Sequence, residues 1–175
     1  MKILNKIFFT LTIIWMIVIF IFSAQSGDTS GNMSGGLTDF IVSIIYSDFE
    51  EFSPETQIEI LDTFHYIIRK GAHFTEFAIL GLLSLLTILT RIYSKNDASF
   101  SNNNKHNLLK SGIISFVFSA FYAITDEVHQ NFVSDRAPAI KDVLIDSSGA
   151  LAGILFTSLM FYLFYIKKDK KRTDT

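Results

Sequence analysis

Four long apolar runs divide this chain, and each carries its unusual polar residues at one end. The runs cover residues 7–22, 74–92 (interrupted by Glu76 and Arg91), 108–124 and 143–166. A helix needs roughly 20 mostly apolar residues to cross the hydrocarbon of a bilayer. Backbone groups in lipid must also be paired within their own segment. The pattern therefore predicts an all-α, polytopic membrane protein: a bundle of four transmembrane helices at about 7–23, 72–92, 108–125 and 143–166. A mean hydropathy of +0.36 over 175 residues leaves room for a single membrane domain. Its medium is the lipid bilayer.

Ser23-Ala24-Gln25-Ser26 follows the first run, and Arg69 to Glu76 opens the second. Asp126-Glu127-Val128-His129-Gln130 closes the third, and Lys141-Asp142 with Asp146 opens the fourth. Runs that alternate in direction bring all four clusters to one face of the membrane. Lys and Arg decide which face. With the N-terminus, the 94–107 linker and the 167–175 tail in the cytoplasm, 11 of the 15 Lys/Arg lie inside and Arg69, Lys70, Arg136 and Lys141 lie outside. The expected location is thus the cell membrane, multi-pass, with cytoplasmic N- and C-termini and the polar clusters on the outer face. Lys2 and Lys6 before an apolar stretch also describe a signal peptide, but Phe22 stands where cleavage after Ala24 wants a small residue, so the first run reads as a retained helix. The basic residues are scattered at membrane edges with no reader motif, which excludes nucleic acid as an expected partner. The chain has no cysteine, so disulfides, thiolate ligands and thiol nucleophiles are excluded together.

The outer segment, residues 24–69, has no Lys or Arg before Arg69. The Gly- and Ser-rich stretch 27–36 reads as loop. Leu37, Phe40, Ile41, Ile44 and Ile45 then recur at helical spacing opposite Asp39 and Ser43, predicting an amphipathic helix lying along the membrane surface. Ser53-Pro54-Glu55 is a helix start. The helix it opens has Ile58, Leu61, Phe64 and Ile68 on its apolar face and runs toward the second membrane helix through Gly71. His65 and His106 read as ordinary surface residues.

Periodicity sorts the polar residues onto faces. Ser115, Ser119, Tyr122, Asp126 and His129 form one stripe down the third membrane helix. Asp142, Asp146, Gly149 and Gly153 share a face of the fourth, where Gly149 and Gly153 form a small-xxx-small contact for another backbone. Lys70, His73 and Glu76 share a face of the second. Glu127 is rotated by about 100° from Asp126 and is expected to be solvated or paired with Arg136. Gln25 and Ser26 either cap the first helix or join the cluster. Ionisable groups in membrane helices are costly, so their convergence predicts a polar pocket at the outer face. The plain alternative is that ion pairs lock the helices together.

The stretches FSAQSG (22–27), RKGAHFTEFAILG (69–81) and YAITDEVHQNFVSDRAPAIKDVLIDSSGALAG (122–153) resemble the VanZ-like family in order, spacing and topology. The resemblance spans nearly the whole chain. It implies a Gram-positive cell-envelope membrane protein associated with teicoplanin resistance, a form of antibiotic resistance. The family's signature polar residues fall on Lys70, His73, Glu76, Asp126, Glu127, His129, Gln130, Arg136, Asp142 and Asp146. Where many members read Pro-Gly-Arg before the last helix, this chain has Ser134-Asp135-Arg136. The turn differs and the arginine stays.

The function expected from these patterns is binding of a cell-envelope lipid or lipoglycopeptide, with an influence on glycopeptide susceptibility. Lys70 and Arg136 supply charge for a phosphate or carboxylate, and Asp126, Asp142 and Asp146 bond hydroxyls or amines. The alternative is an intramembrane metal- or acid/base-dependent hydrolase of a lipid headgroup or acyl bond, with catalytic candidates His73, Glu76, Asp126, His129, Asp142 and Asp146. Its metal candidates are the i, i+3 pairs His73 with Glu76 and Asp126 with His129. The patterns name no cofactor and no oligomeric state.

Overall fold

A computed structural model describes residues 2–25, 27–95, 104–133 and 139–166. Among them the chain is helical throughout: α1 (Lys2–Ser23), α2 (Gly27–Ile45), α3 (Pro54–Lys95), α4 (Asn104–Gln130) and α5 (Ile140–Phe161). A 3₁₀ turn at Phe49–Glu51 precedes α3, and a π turn at Tyr162–Ile166 extends α5. By length and composition, α1, α3, α4 and α5 can each cross a membrane.

At 1.5 Å per residue the 42 residues of α3 extend about 63 Å, twice the hydrocarbon thickness. Its first half therefore projects beyond the bilayer. The helix opens as its sequence predicts: the Thr56 N–H donates to Ser53 Oγ at 3.3 Å, with Pro54 in the first turn. It then passes without a break through Gly71.

Two expectations for the outer segment are corrected. The stretch 27–36, read as loop, is the first half of α2. Helix propagates cheaply from an established turn, and the apolar residues from Leu37 onward supply one, so the local preference of Gly and Ser is overridden. α2 packs on α3 by a face other than its apolar one. Thr38 and Val42 are buried, and Thr38 Oγ1 lies 3.4 Å from Nδ1 of His65 on α3. His65 is accordingly half-buried rather than a plain surface residue. Leu37, Phe40, Ile44 and Ile45 stay at least half exposed, facing away from α3. Tyr46 anchors the end of α2 edge-on against Phe52 and Phe64.

The bundle is assembled by close backbone approach and polar contacts, since apolar side chains gain little by leaving lipid for protein. A Cβ built on Gly149 would collide with the carbonyl of Phe74, one on Gly153 with that of Ala78, and one on Gly81 with that of Ala150. α3 and α5 thus run parallel with their backbones in contact. Across α1 and α3, Asn5 Nδ2 donates to Thr87 O at 2.8 Å, Thr12 and Thr87 hydroxyls lie 3.1 Å apart, and Trp15 Nε1 donates to Glu76 O at 2.8 Å. These two helices run antiparallel. Between α1 and α4, Tyr122 OH donates to Met16 O at 2.7 Å. Ile19, Phe77, Leu80, Ala123 and Ala150 form the core directly beneath the polar end of the bundle.

Candidate functional site

The end of α1, the middle of α3, the end of α4 and the start of α5 meet at one end of the bundle. Ser23 closes α1 and donates through Oγ to Asp126 Oδ2 at 2.7 Å. Gln130, one turn beyond Asp126 on α4, donates to the same oxygen at 2.9 Å. Lys70 of α3 and Asp142 of α5 form an ion pair at 2.5 Å, and Lys70 Nζ also lies 5.4 Å from the centre of the Tyr66 ring. One turn further along each helix, His73 Nδ1 lies 4.0 Å from Asp146 Oδ1 and 4.0 Å from Glu76 Oε2. The four polar clusters of the sequence are therefore side by side in space.

Burial is graded across this cluster. The side chains of Lys70 and Asp142 are 14% and 22% exposed, whereas Asp126 and Asp146 are 3% and 2% exposed as residues. The Lys70–Asp142 pair is the rim and the two aspartates are the floor. Register explains the arrangement: Asp142, Asp146, Gly149 and Gly153 lie on one face of α5, so the glycines that seat α5 on α3 also aim both carboxylates at Lys70 and His73. Ser115, Ser119 and Asp126 are buried along one face of α4, as their spacing predicts.

Glu127 departs from expectation. It is 7% exposed, and its Oε1 accepts the Ala139 N–H at 2.5 Å, where the chain enters α5. The entry to α5 at Ala139 is thereby held against the end of α4, so a residue a quarter-turn from Asp126 is buried rather than solvated. Arg136, its expected partner, and Ser26 both lie outside the described residues. Gln25 is half-buried at the end of α1.

His129 is set apart from His73. Its ring stacks on Phe20 of α1 with centroids 4.4 Å apart. The donor atoms that converge most closely belong to His73, Asp126 and Asp146, one from each of α3, α4 and α5, all within 4.8 Å of one another. Helical spacing pairs His73 with Glu76 and Asp126 with His129, both within single helices. The tight tertiary grouping runs across three helices and brings in Asp146, while Glu76 stays 4.0 Å from His73. Sequence reading also passed over Ser23 and Trp15. Ser23 stood in the polar quartet that ends α1, which was the available signal; nothing in the pattern distinguished Trp15.

Two described cavities are apolar and lie away from the cluster. The larger, about 560 Å³, is a groove between the start of α4 and the end of α5, lined by residues such as Leu108, Gly112, Phe116, Ile154 and Leu155 with Lys105 at its edge. The smaller, about 260 Å³, lies between α3 and α5 near Ala78 and Phe156.

Four apolar helices gathered around a buried carboxylate and histidine cluster define a multi-pass membrane protein with a polar centre near one end. The chain belongs to the VanZ/LLP1 family, whose signature matches residues 8–168. No curated protein and no solved structure matches it.

Proposed function

We propose that this protein binds an amphiphile of the cell envelope, engaging the headgroup at the rim of the polar cluster while the surrounding bilayer holds the acyl chain. The observation that carries this reading is the graded burial from the Lys70–Asp142 rim to the Asp126–Asp146 floor. Purely structural ion pairs need no excess of acid, yet Glu76, Asp126, Glu127, Asp142 and Asp146 stand together around one lysine and His73. Such a site favours a headgroup presenting an amine or hydroxyls. Lys70, neutralised by Asp142, contacts a phosphate or carboxylate only by leaving that pair, and Arg136 is the second basic group of the reading. The excess of Lys and Arg on the other side supports an extracytoplasmic cluster with both termini in the cytoplasm. A lipid or lipoglycopeptide bound there, in a Gram-positive envelope, would alter susceptibility to teicoplanin.

The test is native mass spectrometry of the protein released from detergent, wild type beside Asp142→Asn. The wild type should retain an envelope lipid, or added teicoplanin, that the variant loses. Equal retention by both, or none by either, would remove the rim from the binding site. For orientation, a cysteine introduced at Ser47 should be labelled from outside intact cells and one at Ser101 should not; the reverse pattern would put the cluster inside. A second reading, hydrolysis of a headgroup or acyl bond, is favoured by the convergence of His73, Asp126 and Asp146 on one point. It requires purified protein to convert a retained lipid to a headgroup-free or deacylated product.

A further inference from the structure

We infer that His73, Asp126 and Asp146 form a binding site for one divalent first-row metal ion, with zinc the leading occupant. The site needs neither an amphiphile nor a reaction, so it stands apart from the function proposed above.

Three observations converge on it. The first is geometry. One donor atom from each residue lies within 4.8 Å of the other two, and His73 Nδ1 and Asp146 Oδ1 are 4.0 Å apart. A tetrahedral ion bonded at about 2.0–2.2 Å to nitrogen and oxygen holds its ligands roughly 3.4 Å apart. Rotation of the three side chains by about an ångström brings the donors into that range. Because each comes from a different helix, the ion would tie α3, α4 and α5 together. One imidazole with two carboxylates is a donor set for first-row divalent ions rather than for calcium or magnesium, which prefer all-oxygen sites.

The second observation is independent of the clustering. Asp146 is 2% exposed, and its Oδ1, facing His73, has no hydrogen-bond partner among the described residues. A buried carboxylate oxygen left this way is costly, and a cation at the shared point would satisfy it. Charge agrees. Glu76, Asp126, Glu127, Asp142 and Asp146 stand around Lys70 and His73, and a divalent cation is matched to that excess of acid.

The third is the support behind the ligands. Asp126 Oδ2 receives hydrogen bonds from Ser23 at 2.7 Å and Gln130 at 2.9 Å. Metal-ligating carboxylates are held in this manner by outer partners that fix their orientation. Glu76, with Oε2 4.0 Å from His73 Nδ1, offers a further oxygen.

The protein carries its own reporter. Trp15 is the only tryptophan in the chain, and its indole donates to the carbonyl of Glu76, three residues from His73. The test is a titration of chelator-stripped, detergent-purified full-length protein with Co²⁺, following Trp15 fluorescence, and then with Zn²⁺ as competitor. The expected result is saturable quenching at one equivalent, relieved by zinc. Metal analysis after zinc loading and dialysis should find about one ion per chain. Asp146→Asn should weaken binding by well over tenfold. Ser23→Ala, which removes only a supporting hydrogen bond, should weaken it by about tenfold. Asp48→Asn, at an exposed site, should leave it unchanged. Failure of folded wild type to quench saturably, quenching that zinc does not relieve, or equal zinc affinity in the Ser23→Ala and Asp48→Asn proteins would each overturn the site. Should Asp146→Asn fail to fold, the wild-type titration and Ser23→Ala still decide. A metal-free protein that retains its amphiphile would sink this inference and leave the proposed function standing.

Discussion

The two ends of the bundle are built on opposite terms. At one, Lys70, His73, Asp126, Glu127, Asp142 and Asp146 are packed against one another by helices brought into backbone contact. At the other, α4 and α5 part to leave an apolar groove of about 560 Å³ whose walls, such as Ile113 and Leu155, are more than half exposed. The comparison teaches what holds a membrane protein together. Apolar side chains are as well solvated by lipid as by each other, so the groove costs little. Charges in the same medium must find partners, so the polar end must close.

The sharpest way to break this contrast is at the glycines. Gly149→Leu drives a side chain into the Phe74 carbonyl and moves Asp142 and Asp146 off α3, with an expected loss of about 3 kcal/mol or more. Thermal unfolding in detergent and yield of inserted protein check it; a stable, fully active variant would mean that α5 packs by another face.

A smaller effect is expected at the rim. Lys70→Ala leaves Asp142 without its cation, and because the pair is partly exposed the loss should be roughly 2 kcal/mol, below that of a fully buried pair. The double variant Lys70→Ala/Asp142→Ala should be more stable than Lys70→Ala alone. Additive losses in a double-mutant cycle would show that the two do not interact.

Glu127 separates packing from exposure. Glu127→Ala removes the acceptor of the Ala139 N–H and should cost about 1–2 kcal/mol in the same unfolding measurement. No measurable loss would return Glu127 to the solvated position that its rotation on α4 predicts.

At the groove end, Leu155→Ala should change stability by no more than about 0.5 kcal/mol. A larger loss would show that this wall packs against something, and the contrast between the ends would narrow.

Much of this was legible in the chain because membrane helices write their faces plainly. The stripe of Ser115, Ser119 and Asp126 and the face holding Asp142, Asp146, Gly149 and Gly153 follow from 3.6 residues per turn, and all but the rim residue Asp142 are buried where that spacing puts them. Residues 27–36 were misread because Gly and Ser weigh only on local preference, and a neighbouring amphipathic turn outweighed it. Glu127 was misread because periodicity places a side chain on its helix and says nothing of the entry to α5, whose Ala139 N–H it accepts.

The sequence by itself determined that four helices span a membrane, that their polar ends share one side, and which face of each helix is polar. Hydropathy and helical period are local quantities, readable along one dimension. Only the tertiary structure decided which donors meet: Phe74 and Ala78 as the seats of Gly149 and Gly153, Ser23 as the partner of Asp126, and Asp146 beside His73 in addition to Glu76 of its own helix. Those choices depend on how helices rotate and slide against one another. Side-chain volumes at a few close contacts set that rotation and offset, and no single helix carries the information.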